Sequence, residues 1–214
     1  MTATISRLFD NYYTAQQAVR ALEAAGVPHS DISIVASNAD GWYAADHATR
    51  AAGGATPDRI DRNANGIDDR AEGSGAGAGI GAVVGGGAGL LAGLGLLAIP
   101  GLGPVVAAGW LASTALGAVV GGTAGGLIGA LTAAGVSKED AHIYAEGIRR
   151  GGTLVTARVL DADRAKCESI LNRASVNIQD RGAAYRKAGW EAFDVTGTPY
   201  TADQVRRERE LYRQ

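Results

Sequence analysis

The stretch Gly77–Gly109, GAGIGAVVGGGAGLLAGLGLLAIPGLGPVVAAG, decides the fold, because it carries no charge and reads in three ways: linker, phosphate loop or paired helices. Linkers of glycine stay in solution because they have nothing to bury. Here Leu90, Leu91, Leu94, Leu96, Leu97 and Ile99 crowd one end, so a linker is disfavoured. A phosphate loop needs glycines at fixed offsets, usually with a lysine. The run holds neither G-x-G-x-x-G nor lysine. What is left is a helical hairpin: one arm from about Gly75 to Ile99, a turn at Pro100–Pro104, and a second arm from about Val105 to Gly135.

Small residues recur every fourth position in both arms. They are Gly77, Gly81, Gly85, Gly89 and Gly93, then Gly109, Ser113, Gly117, Gly121, Gly125 and Gly129. That spacing clears a ridge along a helix and predicts close packing of the arms as a glycine zipper. Each glycine costs about 1 kcal/mol against alanine in an exposed helix, so such arms need tight protein packing or lipid around them. An arm of 25 residues would reach about 37 Å, enough for a hydrocarbon core of about 30 Å, although its aliphatic content makes insertion marginal. Two expectations follow: a transmembrane hairpin, or a homo-oligomer in which hairpins bury one another.

Outward from this run the chain changes character. No Asp, Glu, Lys or Arg lies between Glu72 and Lys138, whereas both flanks are charged. On the N-terminal side Thr4–Phe9 reads as a strand, a helix opens at a Thr14-x-x-Gln17 box and stops near Gly26, and Ile32–Ala36 reads as a second strand. On the C-terminal side a helix capped by Ser137 runs to about Arg150. Thr153–Leu160 is a strand, Asp161 opens a helix bearing Cys167, Ile170, Leu171 and Ala174, and Val176–Gln179 reads as a fourth strand. Two β-α-β halves predict an α+β, discontinuous ferredoxin-like domain with the hairpin inserted.

The organisation expected is therefore a first half over 1–36, a polar loop over 37–72, the hairpin over 73–136, a linking helix and second half over 137–180, and an arm over 181–214. That arm carries Tyr185, Trp190, Phe193 and Tyr200, then a charged helix opened by a Thr201-x-x-Gln204 box, and is expected to pack on the domain or on a neighbour.

The segments NADGWY (38–43), DDRAEG (68–73), LLAGLGLLAIPGLGPVVAAG (90–109) and GVSKEDAHIYAEGIRRGGTLVTARV (135–159) resemble the bacterial general stress protein 17M-like (YflT-like) family. The resemblance spans roughly residues 3 to 180. It implies a part in general stress response and supplies no catalytic residues.

Among polar motifs, DRNANGIDDRAE places Asp61, Asn63, Asn65, Gly66, Asp69 and Glu72 at the spacing of a calcium loop, with oxygen ligands at alternate positions and a closing carboxylate. Ile67 and Asp68 depart from the usual order, and an Asn-Gly turn explains the same residues. His29, His47 and His142 are too scattered to ligate a metal with Cys167, whose helix stripe marks a buried structural thiol. Tyr144, Arg149 and Arg150 suggest either an anion site or a solvated or lipid-facing helix end. No nucleophile, base and orienter converge, so a non-enzymatic protein is expected. A net charge of −2 argues against nucleic acid as a partner. The expected partners are further copies of the chain and membrane lipid. The expected place is the cytoplasm, at the inner face of the membrane, because the single cysteine makes no internal disulfide and the N-terminus has no signal-peptide pattern.

Overall fold

The structure, a computed structural model, describes residues 2–43, 94–114 and 126–212. It is α+β. Five strands, β1 (Thr2–Phe9), β2 (Ile32–Ser37), β3 (Gly95–Ile99), β4 (Gly103–Gly109) and β5 (Thr153–Leu160), form one antiparallel sheet in the order β1-β5-β2-β4-β3. Among the described residues six complete α-helices surround it: α1 (Tyr12–Ala24), α2 (Gly126–Ala133), α3 (Lys138–Arg149), α4 (Arg164–Asn172), α5 (Ile178–Lys187) and α6 (Ala202–Leu211).

The central strands show why the sheet is sandwiched. All six residues of β2, ISIVAS, are buried, as a strand covered on both faces requires. Ile32 and Ile34 face a core closed by Ala15, Val19 and Leu22 of α1 and by Cys167 and Leu171 of α4. Val35 faces the other core with Leu97, Ile99, Val105, Leu131, Tyr144, Ile148 and Phe193. The first layer joins β1 to β2 through α1, with β5 hydrogen-bonded between them.

The largest departure from expectation lies in the uncharged run. Gly95–Ile99 and Gly103–Gly109 are strands, not helical arms, and pair in register from Gly95↔Ala107 to Ile99↔Gly103. The turn between them explains this. Pro100 is followed by Gly101 at φ 74°, and Leu102 N–H donates to Ile99 O at 3.0 Å, the pattern of a Pro-Gly turn that reverses a chain within four residues. Strand alternation is concealed in the sequence because both faces are apolar: Leu97 and Ile99 enter one core, while Leu96 and Ala98 point the other way.

Gly109 ends β4 at φ 88° and sits over Ser33, so a Cβ there would strike Ile32 O and lie 2.6 Å from Ser33 Oγ. The chain then turns helical over 110–114, and Ser33 Oγ accepts Leu111 N–H at 2.9 Å, a cap supplied by a neighbouring strand. The expected second arm is broken again at Gly126, whose φ of 36° lies outside right-handed helix. Among the described residues no helix is long and apolar enough to cross a membrane.

Three smaller expectations are also revised. Helix α1 is capped by Asn11, whose side chain accepts Thr14 N–H at 2.9 Å, so the helix opens at Tyr12 and not at Thr14. Asp161 begins a short 3-10 turn over 161–163 before α4, and Asp163 immediately before the helix makes no side-chain cap. Val176–Gln179 is not a strand. Val176 N–H reaches β1 once, at Leu8 O (2.8 Å), and Asn177 then caps α5 by accepting from Gln179 N–H and Asp180 N–H. Two expected caps are present: Ser137 accepts Asp140 N–H, and Thr201 with Gln204 forms a reciprocal box on α6.

Tyr144 is buried between α3 and the sheet and donates to Ser6 O at 2.8 Å. Burial pushes its hydroxyl to about 12 from an ordinary 10.0. A pKa raised on folding stabilises the folded state below the unfolded value, and that stability is lost as pH rises toward the folded one. Between pH 10 and 12 the chain should lose about 2–3 kcal/mol that Tyr144→Phe does not lose. Urea titrations of both proteins at each pH read the difference.

Candidate functional site

The strands β1 and β2 run the same way, so the loops that follow them lie side by side at one end of the sheet. After β1, Asp10 and Asn11 lead into α1. After β2, the loop 38–43 is folded by Asn38: its Oδ1 accepts Tyr43 N–H (2.9 Å), its Nδ2 donates to Tyr43 O (3.1 Å), and its carbonyl accepts Gly41 N–H (2.9 Å). This places Trp42 against Tyr12, ring centroids 4.5 Å apart, while Trp42 Nε1 donates to Ser37 O at 2.7 Å. Tyr43 meets Trp42 edge to face and donates its hydroxyl to Leu94 O at 3.1 Å.

Between these loops and the C-terminal helix lies a cleft of about 250 Å³, lined by Asp10, Asn11, Tyr12, Trp42 and Arg209. Its charges are matched. Asp10 pairs with Arg181 at 2.7 Å, and Arg209 pairs with Asp40 while donating to Gly151 O at 2.9 Å. Arg181 also lies 3.7 Å from the centroid of the Tyr212 ring. Burial raises the Tyr12 hydroxyl to about 12, so at neutral pH it is a proton donor in hydrogen bonds and not a base. The cleft thus offers an aromatic wall and balanced ion pairs. It is smaller than most small-molecule pockets, which begin at about 300 Å³.

A second polar cluster fixes the arm that closes this cleft. Glu146 of α3 is fully buried. Its Oε1 accepts Arg150 Nε at 2.6 Å and Arg149 Nη2 at 3.1 Å, and Arg149 Nε lies 3.0 Å from Oε2 without hydrogen-bond alignment. Arg150 reaches on to Glu208 of α6 at 3.1 Å. The two guanidinium groups stack on the arm: Arg149 over Tyr200 (4.8 Å) and Phe193 (5.8 Å), Arg150 over Tyr185 (4.4 Å). His142 Nδ1 accepts Phe193 N–H at 3.2 Å, and Val205 packs, fully buried, against Gly151. The arm therefore packs on its own domain, and Arg149 and Arg150 are neither an open anion site nor a solvated or lipid-facing helix end. Tyr144 stands apart, buried under α3.

None of the described candidate site residues singled out in the sequence lines this cleft. Gly77, Gly81, Gly85, Gly89, Gly93, Gly117, Gly121 and Gly125 lie outside the described residues, as do the calcium-spaced Asp61, Asn63, Asn65, Asp69 and Glu72. Of the remaining zipper positions, Gly109 ends a strand, Ser113 is exposed with its hydroxyl on Trp110 O, and a Cβ on Gly129 would meet nothing within 4 Å. Cys167 is buried as expected, and burial raises its thiol. Among the described residues no three His, Cys, Asp or Glu side chains gather to hold a metal. The cleft residues escaped the sequence reading because they come from three distant segments. The local signal was an aromatic pair, Trp42–Tyr43, in an otherwise polar loop.

No protein-family model, curated protein or solved structure matches this chain, and the resemblance to the general stress protein family stands on the quoted segments alone.

Proposed function

We propose that the chain is a non-enzymatic, self-associating stress-response protein. Its α+β domain is a rigid base, and the uncharged region 73–136 supplies the contacts between copies. The observation that carries this reading is the uncharged span itself, 65 residues without an Asp, Glu, Lys or Arg. Its described part adds an apolar hairpin to the outside of the sheet, where charged residues ordinarily discourage association. The stress-response role comes from the family resemblance. A ferredoxin-like ancestry is part of the same proposal: β1-α1-β2 with β5 between them is one split β-α-β unit, and α5 stands where a second unit would place its outer strand.

Self-association is the primary reading over membrane insertion, because strands at 95–99 and 103–109 take residues that the expected transmembrane arms would use, and among the described residues no helix is long and apolar enough to cross a membrane. The test is the full chain in detergent-free buffer, sized by light scattering, together with fractionation and alkaline carbonate washing of expressing cells. Soluble particles at multiples of 21.7 kDa are expected. Substituting Gly85 and Gly121 by leucine should reduce particle mass at least twofold. A wild-type monomer at every concentration, or material that stays with carbonate-washed membranes, would refute the reading.

A further inference from the structure

The two edges of the sheet differ. At the β1 edge Val176 N–H already occupies Leu8 O, and α5 follows at once. At the other edge, among the described residues, β3 pairs with β4 alone. The register shows which backbone groups β3 leaves over. Pro104 stands opposite Ala98, and its carbonyl accepts Asn38 N–H at 2.8 Å, so it points away from β3 toward β2. Ala98↔Pro104 is then a non-hydrogen-bonded pair, and in an antiparallel ladder such pairs alternate with bonded ones. Leu97 and Ile99 bond β4, whereas the N–H and C=O of Leu96 and of Ala98 point outward.

The strand GLLAI carries none of the devices that block edges: no charge, no internal proline, no bulge. Both ends of the edge are closed. Leu94 O is taken by the Tyr43 hydroxyl, and the turn is covered by Phe193 and Asp194 over Gly101 and by Pro199 over Gly103. Among the described residues the open edge is therefore limited to one short strand with two donors and two acceptors.

We propose that this edge is the site at which a second copy of the chain docks, β3 against β3, about a two-fold axis through Leu97. Antiparallel pairing on that axis sets Leu96 opposite the partner's Ala98 and Ala98 opposite the partner's Leu96. Each of these is a bonded pair, so all four outward groups of both strands are satisfied by four N–H···O bonds and a ten-stranded sheet results. The occupant is a second copy because the arrangement is self-complementary in hydrogen bonds, register and absence of charge. Interfaces of this type are isologous. The proposal rests on the self-association reading and assigns it a contact.

Site-resolved amide exchange on the full chain tests it, with light scattering on the same samples. Leu97 N–H is bonded within the monomer and should exchange slowly at all concentrations. Leu96 and Ala98 N–H should gain at least about tenfold protection as concentration rises. Ala98 is exposed, so Ala98→Lys retains the fold and places a charge on the edge; it should abolish both that protection and the dimer step in mass. If Leu96 and Ala98 stay unprotected while the wild-type mass still grows, the edge is not the contact although the chain self-associates. A wild-type monomer throughout overturns both readings.

Discussion

Replacing Glu146 with alanine lowers the free energy of unfolding by about 3–5 kcal/mol, the cost of deleting one member of a buried ionic cluster. Glu146 is buried, and its two arginine partners have side chains only 14% and 12% exposed. Arginine does not escape such a position by losing its proton. With Glu146 gone, Arg150 keeps only Glu208 and Arg149 only the field of Asp194, or they swing to solvent and leave the rings of Phe193, Tyr185 and Tyr200. Either route loosens the arm that holds Arg209 at the cleft. Urea titration measures the loss, and exchange of the amides of α6 reports the arm separately. Glu146→Gln keeps a hydrogen-bond acceptor without the charge and should fall between. A loss under about 1 kcal/mol would mean that the cluster behaves as a solvated surface pair.

Gly109→Ala is the second large effect, at about 3 kcal/mol or more. Two costs add. At φ 88° an L-residue sits in left-handed backbone, worth roughly 1–2 kcal/mol, and the new methyl meets Ile32 O and Ser33, backbone of a strand held from its other side by β5. Neither strand has room to yield without breaking the Ser33–Leu111 cap. Gly129→Ala is the matched comparison. It belongs to the same four-residue comb, yet its Cβ points into open space on α2, so the change should stabilise by up to about 1 kcal/mol. Opposite signs at Gly109 and Gly129 are expected here, whereas a helical zipper through both would make each substitution destabilising. Stability curves of the two variants decide between them.

Much of the base was legible in the chain. β1, α1, α3, β5 and the Thr201 box stand out because polar and apolar residues recur there with a clear period, and β2 as a short β-branched run closed by polar turn residues. The hairpin was not, since periodicity is invisible where every residue is apolar or glycine. A four-residue glycine spacing also arises easily in a region this rich in glycine. The Pro100–Gly101 pair was the better signal, because a proline followed by a positive-φ glycine closes a turn far tighter than two helices need. At Val176–Gln179 a short apolar-polar alternation competed with Asn177, a strong helix cap with Asp180 in the first turn, and the cap prevailed. The cleft and the Glu146 cluster depend on packing among distant segments, which no local pattern encodes. Arg149 and Arg150 in particular read as a free basic pair until Glu146, one helical turn earlier, is seen to face them.

The account turns on Gly95–Gly109 being two paired strands at the edge of the sheet. Nuclear Overhauser contacts between α-protons test this most directly, because non-hydrogen-bonded antiparallel pairs bring those protons closest. Strong contacts between Leu96 and Val106 and between Ala98 and Pro104 are predicted. A ladder of helical contacts between residues three apart through 95–99, with no cross-strand pair, would contradict it.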